Sequence, residues 1–380
     1  MTPETSLFET TVQLAEALVR IPSHNPPGNE DRIVAHVAGW LAKRGIVAES
    51  VPLEPGRSSL VTRIPGRSPG AIVLCGHLDT VCAGDSPWQH PPLGGEVIED
   101  RLWGLGAADM KSGVAVLLSV AAHYAAADRR PRHDLVLALT ADEEVAYRGA
   151  ASIARAGHLD DAVCVLIAEP TSNRPLVGQK GELWLEAVFS GAEAHGSMPE
   201  RGISSLLPAA RFCTRLHQEV GALPHHPGRG HTTVNLGEIR GGRQVNIVPD
   251  RTSIEIDVRS VSKEHHDTVI DIIHRIGAEE AAAEGAGFAC RILSDHPQIV
   301  SNSDHPEVKR LFEISSRALG ETLRPSIVPY STDAVSISPW VKAPILVCGP
   351  GDIGQAHRPD ESISLEEIRV ALEMMIAFVA

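Results

Sequence analysis

The sequence predicts an α/β protein, with a mainly parallel sheet covered by helices on both faces and an inserted α+β domain built on an antiparallel sheet. At 380 residues the chain exceeds the size at which a single core keeps growing, so two domains are expected. Residues 71–77, 134–144 and 162–170 are apolar strands without alternation, separated by helical patterns, as in a parallel sheet buried on both faces. Residues 181–191, 232–242 and 252–260 alternate apolar with polar positions, which is typical of half-exposed antiparallel strands.

The remaining elements follow from their spacing. Apolar residues at helical intervals predict helices over 7–19, 31–43, 110–127, 202–220 and 263–285. Short strands are predicted over 51–53 and 60–64. A further buried, continuously apolar strand is predicted within 341–350. We therefore predict a discontinuous catalytic domain of residues 1–178 and 293–380, interrupted by an inserted lid or dimerisation domain of residues 179–292.

Charge and hydropathy exclude two classes of partner. The chain has 34 Lys and Arg against 48 Asp and Glu, and no basic run interrupts this excess, so nucleic-acid binding is not expected. The longest apolar run, residues 114–122, is too short to span a bilayer, so no membrane partner is expected. The first residues lack the basic start and apolar stretch of a signal peptide, and we expect a cytoplasmic protein.

A His and an Asp follow the first buried strand. In GHLDT (76–80), His77 and Asp79 stand at i and i+2, on the same side of an extended chain. A carboxylate that accepts the free ring N–H of a metal-bound His fixes the tautomer of that His, and this suits Asp79 as the partner of His77. A surface His in an ordinary turn is the alternative interpretation.

A glycine-rich segment, GLGAADMKSG (104–113), places Asp109 at the entrance of a helix. The simplest interpretation of this segment alone is that Asp109 caps the helix. A dinucleotide loop is a second alternative, but the third glycine of GxGxxG is replaced by Asp109 and no buried strand precedes the segment.

Three adjacent carboxylates, Asp142, Glu143 and Glu144, end another apolar strand. Such groups repel one another unless cations neutralise them. Adjacent residues on a bending chain can divide the work, so that Glu144 binds a metal while Glu143 takes a proton from water as general base. A solvated acidic loop is the alternative.

Two further candidate ligands stand at the ends of apolar strands. Glu169 closes the strand 162–170, and His357 lies in a Gly- and Pro-rich loop after the last apolar strand. Strand ends of a parallel sheet meet at one edge, so these residues are expected near the other candidates. Mixed His and carboxylate ligands without Cys favour zinc, with cobalt or manganese as substitutes.

These segments together resemble the di-zinc aminoacylase and carboxypeptidase family that includes acetylornithine deacetylase and succinyl-diaminopimelate desuccinylase. The resemblance runs from near Leu14 to the C-terminus. It is carried by seven ordered motifs: GHLDTV (76–81), GLGAADMKSG (104–113), TADEE (140–144), AEPT (168–171), AHGSMPERG (194–202), YSTDA (330–334) and GQAHRPDESI (354–363).

The resemblance implies two zinc ions per subunit, bridged by Asp109, with a cis peptide after that residue. One ion is completed by His77 and Glu169, and the other by Glu144 and His357. Glu143 is implied as the general base and Asp79 as the residue that orients His77.

The resemblance also implies roles for the inserted domain, through which family members dimerise, so a homodimer is expected. His195 matches a lid His that reaches the partner's active site and stabilises the oxyanion. Arg259 and Asn246 match positions that bind the substrate's carboxylate and nearby polar groups. The sequence departs from many relatives at Ser204 and Ser205, where Asn and Ala are common, and at Ser331, where Gly is common.

The expected function is hydrolysis of the amide bond of a small anionic N-acyl amino acid, with an N-acetyl group favoured because GPGDIGQAHRPDE (349–361) most resembles the acetylornithine deacetylase branch. A desuccinylase, a dipeptidase or carboxypeptidase, and an N-carbamoyl-amino-acid hydrolase are alternatives on the same site. A desuccinylase needs a further cation, for which the chain offers Arg174, Arg201, Arg243 and Arg324. Outside this class, a non-catalytic binding protein and a nicotinamide-dependent oxidoreductase remain open.

Overall fold

A computed structural model describes residues 6–126 and 129–380, which divide into two compact units. Unit 1 contains the residues up to Gly178 together with Val300–Pro325 and Thr332–Ala380, and unit 2 contains Gln179–Ile299 and Ser326–Ser331. The inserted unit therefore extends to Ile299, beyond the predicted boundary at 292, and it also includes the short segment 326–331. The predicted helix end at residue 127 lies outside the described residues.

The helices, in chain order, are α1 (Leu7–Val19), α2 (Asp31–Ala42), α3 (Ser112–Ala125), α4 (Arg148–Arg155), α5 (Leu206–Gly221), α6 (Lys263–Glu284), α7 (Pro306–Leu319), α8 (Ala334–Ile337) and α9 (Leu365–Val379). The strands are β1 (Glu49–Glu54), β2 (Arg57–Ile64), β3 (Ser68–His77), β4 (Glu96–Ile98), β5 (Arg101–Trp103), β6 (His133–Thr140), β7 (Ala162–Pro170), β8 (Gly178–Gln179), β9 (Gly181–Ser190), β10 (Thr233–Gly241), β11 (Arg251–Ser260), β12 (Gly287–His296), β13 (Ile299–Val300), β14 (Ile345–Gly349) and β15 (Ser362–Ser364).

Local signals set several helix ends. Ser6 and Glu9 form a reciprocal capping box at the start of α1, which satisfies two backbone N–H groups that the helix cannot. Gly285 and Gly320 adopt left-handed conformations after α6 and α7, a backbone region that glycine enters without steric cost. The ends of α1 and α6 agree with the predicted helices to within one residue, whereas α7 was not predicted.

Unit 1 is built on a six-stranded sheet with the order β1-β2-β6-β3-β7-β14. The four strands β6, β3, β7 and β14 run parallel, and β2 joins β6 antiparallel. Their side chains are almost wholly buried, which is why these segments are continuously apolar. The predicted fold class is confirmed.

Helices cover both faces of this sheet. A side chain at Gly76 of β3 would meet Val114 and Leu117 of α3, so this face lies against α3. The thiol of the neighbouring Cys75 instead contacts Asp333, which immediately precedes α8. Successive residues of a strand point to opposite faces, so α3 and α8 lie on opposite faces.

Unit 2 contains an antiparallel sheet with the order β10-β11-β9-β12, against which α5 and α6 pack. Phe189 and Phe212 are fully buried in its core. The edge strand β12 was not predicted. Its sequence, GFACRILSDH, does not alternate strictly between apolar and polar residues, and a β-bulge between Ile292 and Ser294 shifts its register, so it lacks the pattern that marked the other strands of this sheet.

In the described residues, no helix combines the length and the apolar character that crossing a membrane requires.

Candidate metal centre

The candidate site in unit 1 is built where parallel strands end. His77 is the last residue of β3 and pairs in register with Thr140, the last residue of β6. Four residues further on lies Glu144, and Glu169 is the penultimate residue of β7. His357 follows β14 after a short helical turn. The topology therefore gathers side chains that are far apart in the sequence at one edge of one sheet.

Asp109 reaches this edge from an irregular segment before α3. Its backbone is not helical, the peptide bond to Met110 is cis, and α3 begins only at Ser112 without a side-chain cap. Asp109 is therefore not a helix cap. The carboxylate of Glu361 accepts hydrogen bonds from the N–H groups of Gly106, Ala108 and Asp109, at 2.9, 2.8 and 3.0 Å, and so fixes the segment.

Five predicted ligands form two groups that share Asp109. One Asp109 oxygen lies 3.1 Å from His77 Nε2, which is 3.8 Å from Glu169 Oε1. The other Asp109 oxygen lies 3.3 Å from His357 Nε2, which is 3.2 Å from Glu144 Oε2. Within each group the donor atoms lie within 4.8 Å of one another, close enough to surround one ion. This geometry allows the Asp109 carboxylate to bridge two ions.

The buried carboxylates of the two ligand groups need positive charge nearby to stabilise their ionised forms. Burial raises the pKa of Glu143 and Glu169 well above the usual range, and neighbouring carboxylates add to the effect for both. Burial lowers the pKa of His77, but Asp109 and the nearby glutamates outweigh it and raise the value well above normal. Hydrogen bonds to Asp109 and Glu144 raise the pKa of His357 to about 10.

An unpartnered oxygen shows that the residues fit a cation. Glu144 Oε1 is buried and has no hydrogen-bond partner among the described residues. A buried carboxylate oxygen without a donor costs free energy, and a coordinated cation removes that cost. Each group offers one imidazole nitrogen and two carboxylates, without sulfur, which suits zinc, cobalt or manganese.

These protonation states predict a pH dependence for metal binding. The pKa values of His77 and His357 are raised in the metal-free protein, so both rings are protonated at neutral pH and must lose a proton to coordinate. Apparent metal affinity is therefore expected to fall as the pH decreases from 8 to 6. Zinc titration calorimetry at three pH values checks this, and an affinity that stays constant over the range contradicts it.

Asp79 makes a different contact from the one predicted. His77 Nδ1 lies 2.9 Å from the backbone carbonyl oxygen of Asp79 and 4.0 Å from its carboxylate. The carboxylate instead accepts hydrogen bonds from the N–H groups of Glu143 and Glu144, both at 3.2 Å. The Asp79 carboxylate therefore binds the backbone of the segment that carries those two glutamates. Asp79 thus orients His77 through its backbone and holds Glu143 and Glu144 through its side chain.

A second set of residues behind Asp79 was not predicted. The side-chain amide of Asn25 donates to Asp79 and to Asp142, both at 3.0 Å. Arg57 in turn lies 2.9 Å from Asp142 and donates to the buried Glu30. The sequence gives no signal for this network, because Asn25 and Arg57 lie far from Asp79 and Asp142 in the chain and in none of the predicted motifs.

We predict that Asp79→Asn lowers kcat by roughly 10- to 100-fold, the range seen when groups that support metal ligands are removed. The amide places an NH₂ group where two backbone N–H groups and Asn25 now donate, so one donor faces another. Turnover and metal content together check this. Asp85→Asn, at an exposed loop position, is the matched control, and equal turnover in the two variants would refute the role.

The other predicted site residues lie in unit 2. His195 is exposed, and its Nδ1 accepts a hydrogen bond from the N–H of Ser197 at 3.2 Å. In a neutral ring the proton then resides on Nε2, which is left as a donor. Asn246 is exposed, and its backbone carbonyl accepts a hydrogen bond from the N–H of Gly196.

Arg259 is held by several groups of unit 2. Its guanidinium lies 2.6 Å from a Glu182 oxygen and donates to Asp257 at 2.9 Å. It also donates to the hydroxyl of Ser331, which in turn donates to Glu182. Ser331 is therefore one of three residues that hold this guanidinium, together with Glu182 and Asp257. Ser205 hydrogen-bonds Pro249 and Thr252 within the same unit.

Comparison with known proteins decides the family. The sequence profile of peptidase family M20/M25/M40 matches residues 73–380. The chain belongs to this family. It is 30% identical over 360 residues to the acetylornithine deacetylase of Vibrio atlanticus, covering 92% of this chain and 90% of the relative. It is 26% identical over 384 residues to a probable succinyl-diaminopimelate desuccinylase of Staphylococcus epidermidis, covering 93% and 92%.

The fold agrees with solved structures of the M20 family. A dinuclear metal-binding peptidase of that family from Bacillus subtilis superposes with a TM-score of 0.76 at 16% identity, covering 98% of this chain and 97% of the other. Membership of the M20/M25/M40 family makes the chain a hydrolase that acts on amide bonds. The alternatives of a nicotinamide-dependent oxidoreductase and of a non-catalytic binding protein are therefore set aside.

Proposed function

We propose that this M20 hydrolase cleaves the amide bond of N-acyl amino acids, with N-acetyl compounds preferred, and uses two divalent metal ions with Glu143 as general base. The position of the Glu143 side chain is the main evidence for this proposal. It is buried beside both ligand groups yet belongs to neither of the groups found among the described residues. A carboxylate that binds no metal in such a place is free to exchange protons.

In this proposal His77, Asp109 and Glu169 hold one ion, while Asp109, Glu144 and His357 hold the other. Divalent ions bound there, with zinc expected and cobalt or manganese as substitutes, would polarise the acyl carbonyl and would lower the pKa of water to about 7. Glu143 accepts the proton from the attacking water and delivers it to the leaving amine. Burial supports this role because it raises the pKa of Glu143, which makes the carboxylate a better base.

We assign the oxyanion role to His195 of a homodimeric partner, as the resemblance implies. Its Nδ1 accepts a backbone hydrogen bond, so the neutral ring presents an Nε2–H donor to a developing negative charge. Arg259 is proposed to bind the substrate carboxylate, with Asn246 near it. Glu182, Asp257 and Ser331 hold the guanidinium of Arg259 in a defined position before substrate arrives.

The N-acetyl preference rests on the relatives named acetylornithine deacetylase and on the arginines that a desuccinylase would need. Of the four candidates for a second carboxylate, Arg174 pairs with Glu321 at 2.7 Å and Arg243 pairs with Glu193 at 2.5 Å. Only Arg201 and Arg324 remain without such an ion pair among the described residues. A succinyl group therefore has fewer cations to receive it.

A substrate panel tests the preference. N-acetyl, N-formyl, N-succinyl and N-carbamoyl amino acids and dipeptides are incubated with zinc- and cobalt-loaded protein, and the released amine is measured. We expect the highest kcat/KM for N-acetyl amino acids. A higher kcat/KM for N-succinyl or N-carbamoyl compounds, or for dipeptides, would replace the N-acetyl assignment by that class while leaving the metal centre in place.

A further inference from the structure

The side-chain amide of Asn25 lies between two carboxylates behind the metal centre. Asn25 is buried, and its Nδ2 donates one hydrogen bond to Asp79 Oδ2 and another to Asp142 Oδ1, both at 3.0 Å. A primary amide nitrogen carries two hydrogens, so both donors of Asn25 are used. Ionised carboxylates only accept hydrogen bonds. One neutral group therefore joins two carboxylates that would otherwise repel each other.

Both carboxylates act on the segment that carries Glu143 and Glu144. Asp79 accepts hydrogen bonds from the backbone N–H groups of these two glutamates, each at 3.2 Å. Asp142 directly precedes Glu143, and its backbone is left-handed with a φ of 67°, a conformation that is uncommon outside glycine. The positions of Glu143 and Glu144 therefore depend on where Asp79 and Asp142 lie, and the amide of Asn25 connects these two residues.

The backbone around Asn25 is itself fixed next to Asp79. The N–H of Asn25 donates to the carbonyl oxygen of Thr80 at 2.8 Å, and the N–H of Thr80 donates to the carbonyl oxygen of Ser23 at 3.1 Å. The Ser23 hydroxyl donates to the carbonyl oxygen of Leu78 at 2.7 Å. These contacts hold the two chain segments side by side, so the amide of Asn25 is presented to Asp79 from a defined position.

Asp142 is anchored from its other side by two arginines. Its Oδ1 lies 2.9 Å from Arg57 and accepts a hydrogen bond from Arg148 at 3.2 Å. Asp79 instead receives the amide of Asn25 and the backbone N–H groups of the glutamate segment. Loss of the Asn25 amide would thus leave Asp142 in place and free the carboxylate of Asp79 to move together with that segment.

We infer that Asn25 is a positioning residue, which holds the general base Glu143 and the metal ligand Glu144 in place through Asp79 and Asp142. The inference rests on the roles proposed above for Glu143 and Glu144. Asn25 acts on the proton-transfer group and on one of the two ions, so its loss is expected to change kcat and the affinity for that ion. KM is expected to stay nearly constant, because the residues proposed to bind the substrate carboxylate lie in unit 2.

The test compares Asn25→Ala and Asn25→Asp with the wild type on the amide that the wild type cleaves best. Asn25→Ala removes both donors, whereas Asn25→Asp keeps the shape of the side chain but puts a third carboxyl group between Asp79 and Asp142. We expect each variant to lower kcat by roughly 10- to 100-fold, with KM within about twofold of the wild type. The loss in Asn25→Asp should be at least as large as that in Asn25→Ala.

Zinc titration calorimetry on the metal-free proteins gives a second readout. We expect one of the two equivalents, the one held with Glu144, to bind at least about tenfold more weakly in both variants, and the other to stay within about twofold. Asn173→Ala is the matched control, because it removes another buried amide of unit 1, which donates to the backbone carbonyl of Glu367 at 2.9 Å. It is expected to lower the melting temperature and to leave kcat and zinc affinity unchanged.

Wild-type kcat and zinc affinity in Asn25→Ala overturn the inference. So does an Asn25→Asp variant that is clearly more active than Asn25→Ala, since that order is expected if only the volume of the side chain matters. If Asn25→Ala does not fold, Asn25→Asp decides alone, and failure of both to fold overturns the inference in favour of a purely structural role. The proposed function fails separately, when the wild type itself neither binds two ions nor cleaves any amide of the panel.

Discussion

Glu143→Ala is expected to lower kcat by roughly 10²- to 10⁴-fold while leaving the metal content of the protein unchanged. The size is that of a lost general acid–base group, since Glu143 is buried beside His77, Glu144 and Glu169 and belongs to neither ligand group among the described residues. Metal is retained because all five ligands are intact. The measurement combines kcat on an N-acetyl amino acid with elemental analysis of the same preparation.

The control for this variant is Glu313→Ala, which removes an exposed carboxylate of α7. Burial raises the pKa of Glu143 and so disfavours its charged form, and we therefore do not expect the loss of this carboxylate to weaken the fold. The melting temperature of Glu143→Ala is therefore expected to equal or exceed that of the wild type. Normal turnover in Glu143→Ala would show that another group transfers the proton.

His357→Ala is expected to reduce the metal content from two equivalents to about one and to abolish most of the turnover. The second ion would then keep only two ligand residues, Asp109 and Glu144. Without the imidazole of His357, these two carboxylates are not expected to hold that ion. The group of His77, Asp109 and Glu169 stays whole and should keep its ion. Elemental analysis after gel filtration measures the equivalents.

His36→Ala is the matched control for His357→Ala, since it removes an exposed imidazole from α2. It is expected to retain both metals and full activity. Two tightly bound equivalents in His357→Ala would mean that His357 is not a ligand, and the contacts of its Nε2 with Asp109 and Glu144 would then need another explanation.

The sequence predicted the parallel sheet well because its strands are continuously apolar. The strand predicted over 162–170 has those bounds in the structure, since each residue from Cys164 onward is buried. The edge strand β12 escaped prediction because its apolar residues do not alternate strictly and a β-bulge between Ile292 and Ser294 shifts its register. The end of the inserted unit was consequently placed too early, within a strand that belongs to that unit.

The candidate residues at strand ends could be predicted from the sequence because parallel topology brings those ends together. The residues that hold the candidate residues in place could not be predicted. Glu361 lies within the motif GQAHRPDESI (354–363), yet only the structure shows that its carboxylate fixes the Asp109 segment through three backbone N–H groups. Asn25 connects two carboxylates from different loops, a contact that depends on tertiary packing and leaves no periodic signal.

Hydrolysis by this protein is expected to require both metal ions of the centre. The most direct test removes metal from the purified protein with a chelator, adds zinc or cobalt stepwise, and follows both bound metal and amine release. We expect the stripped protein to be inactive and activity to return to its full value as binding reaches two equivalents per chain. Full hydrolysis by protein shown to contain no divalent metal would contradict the account.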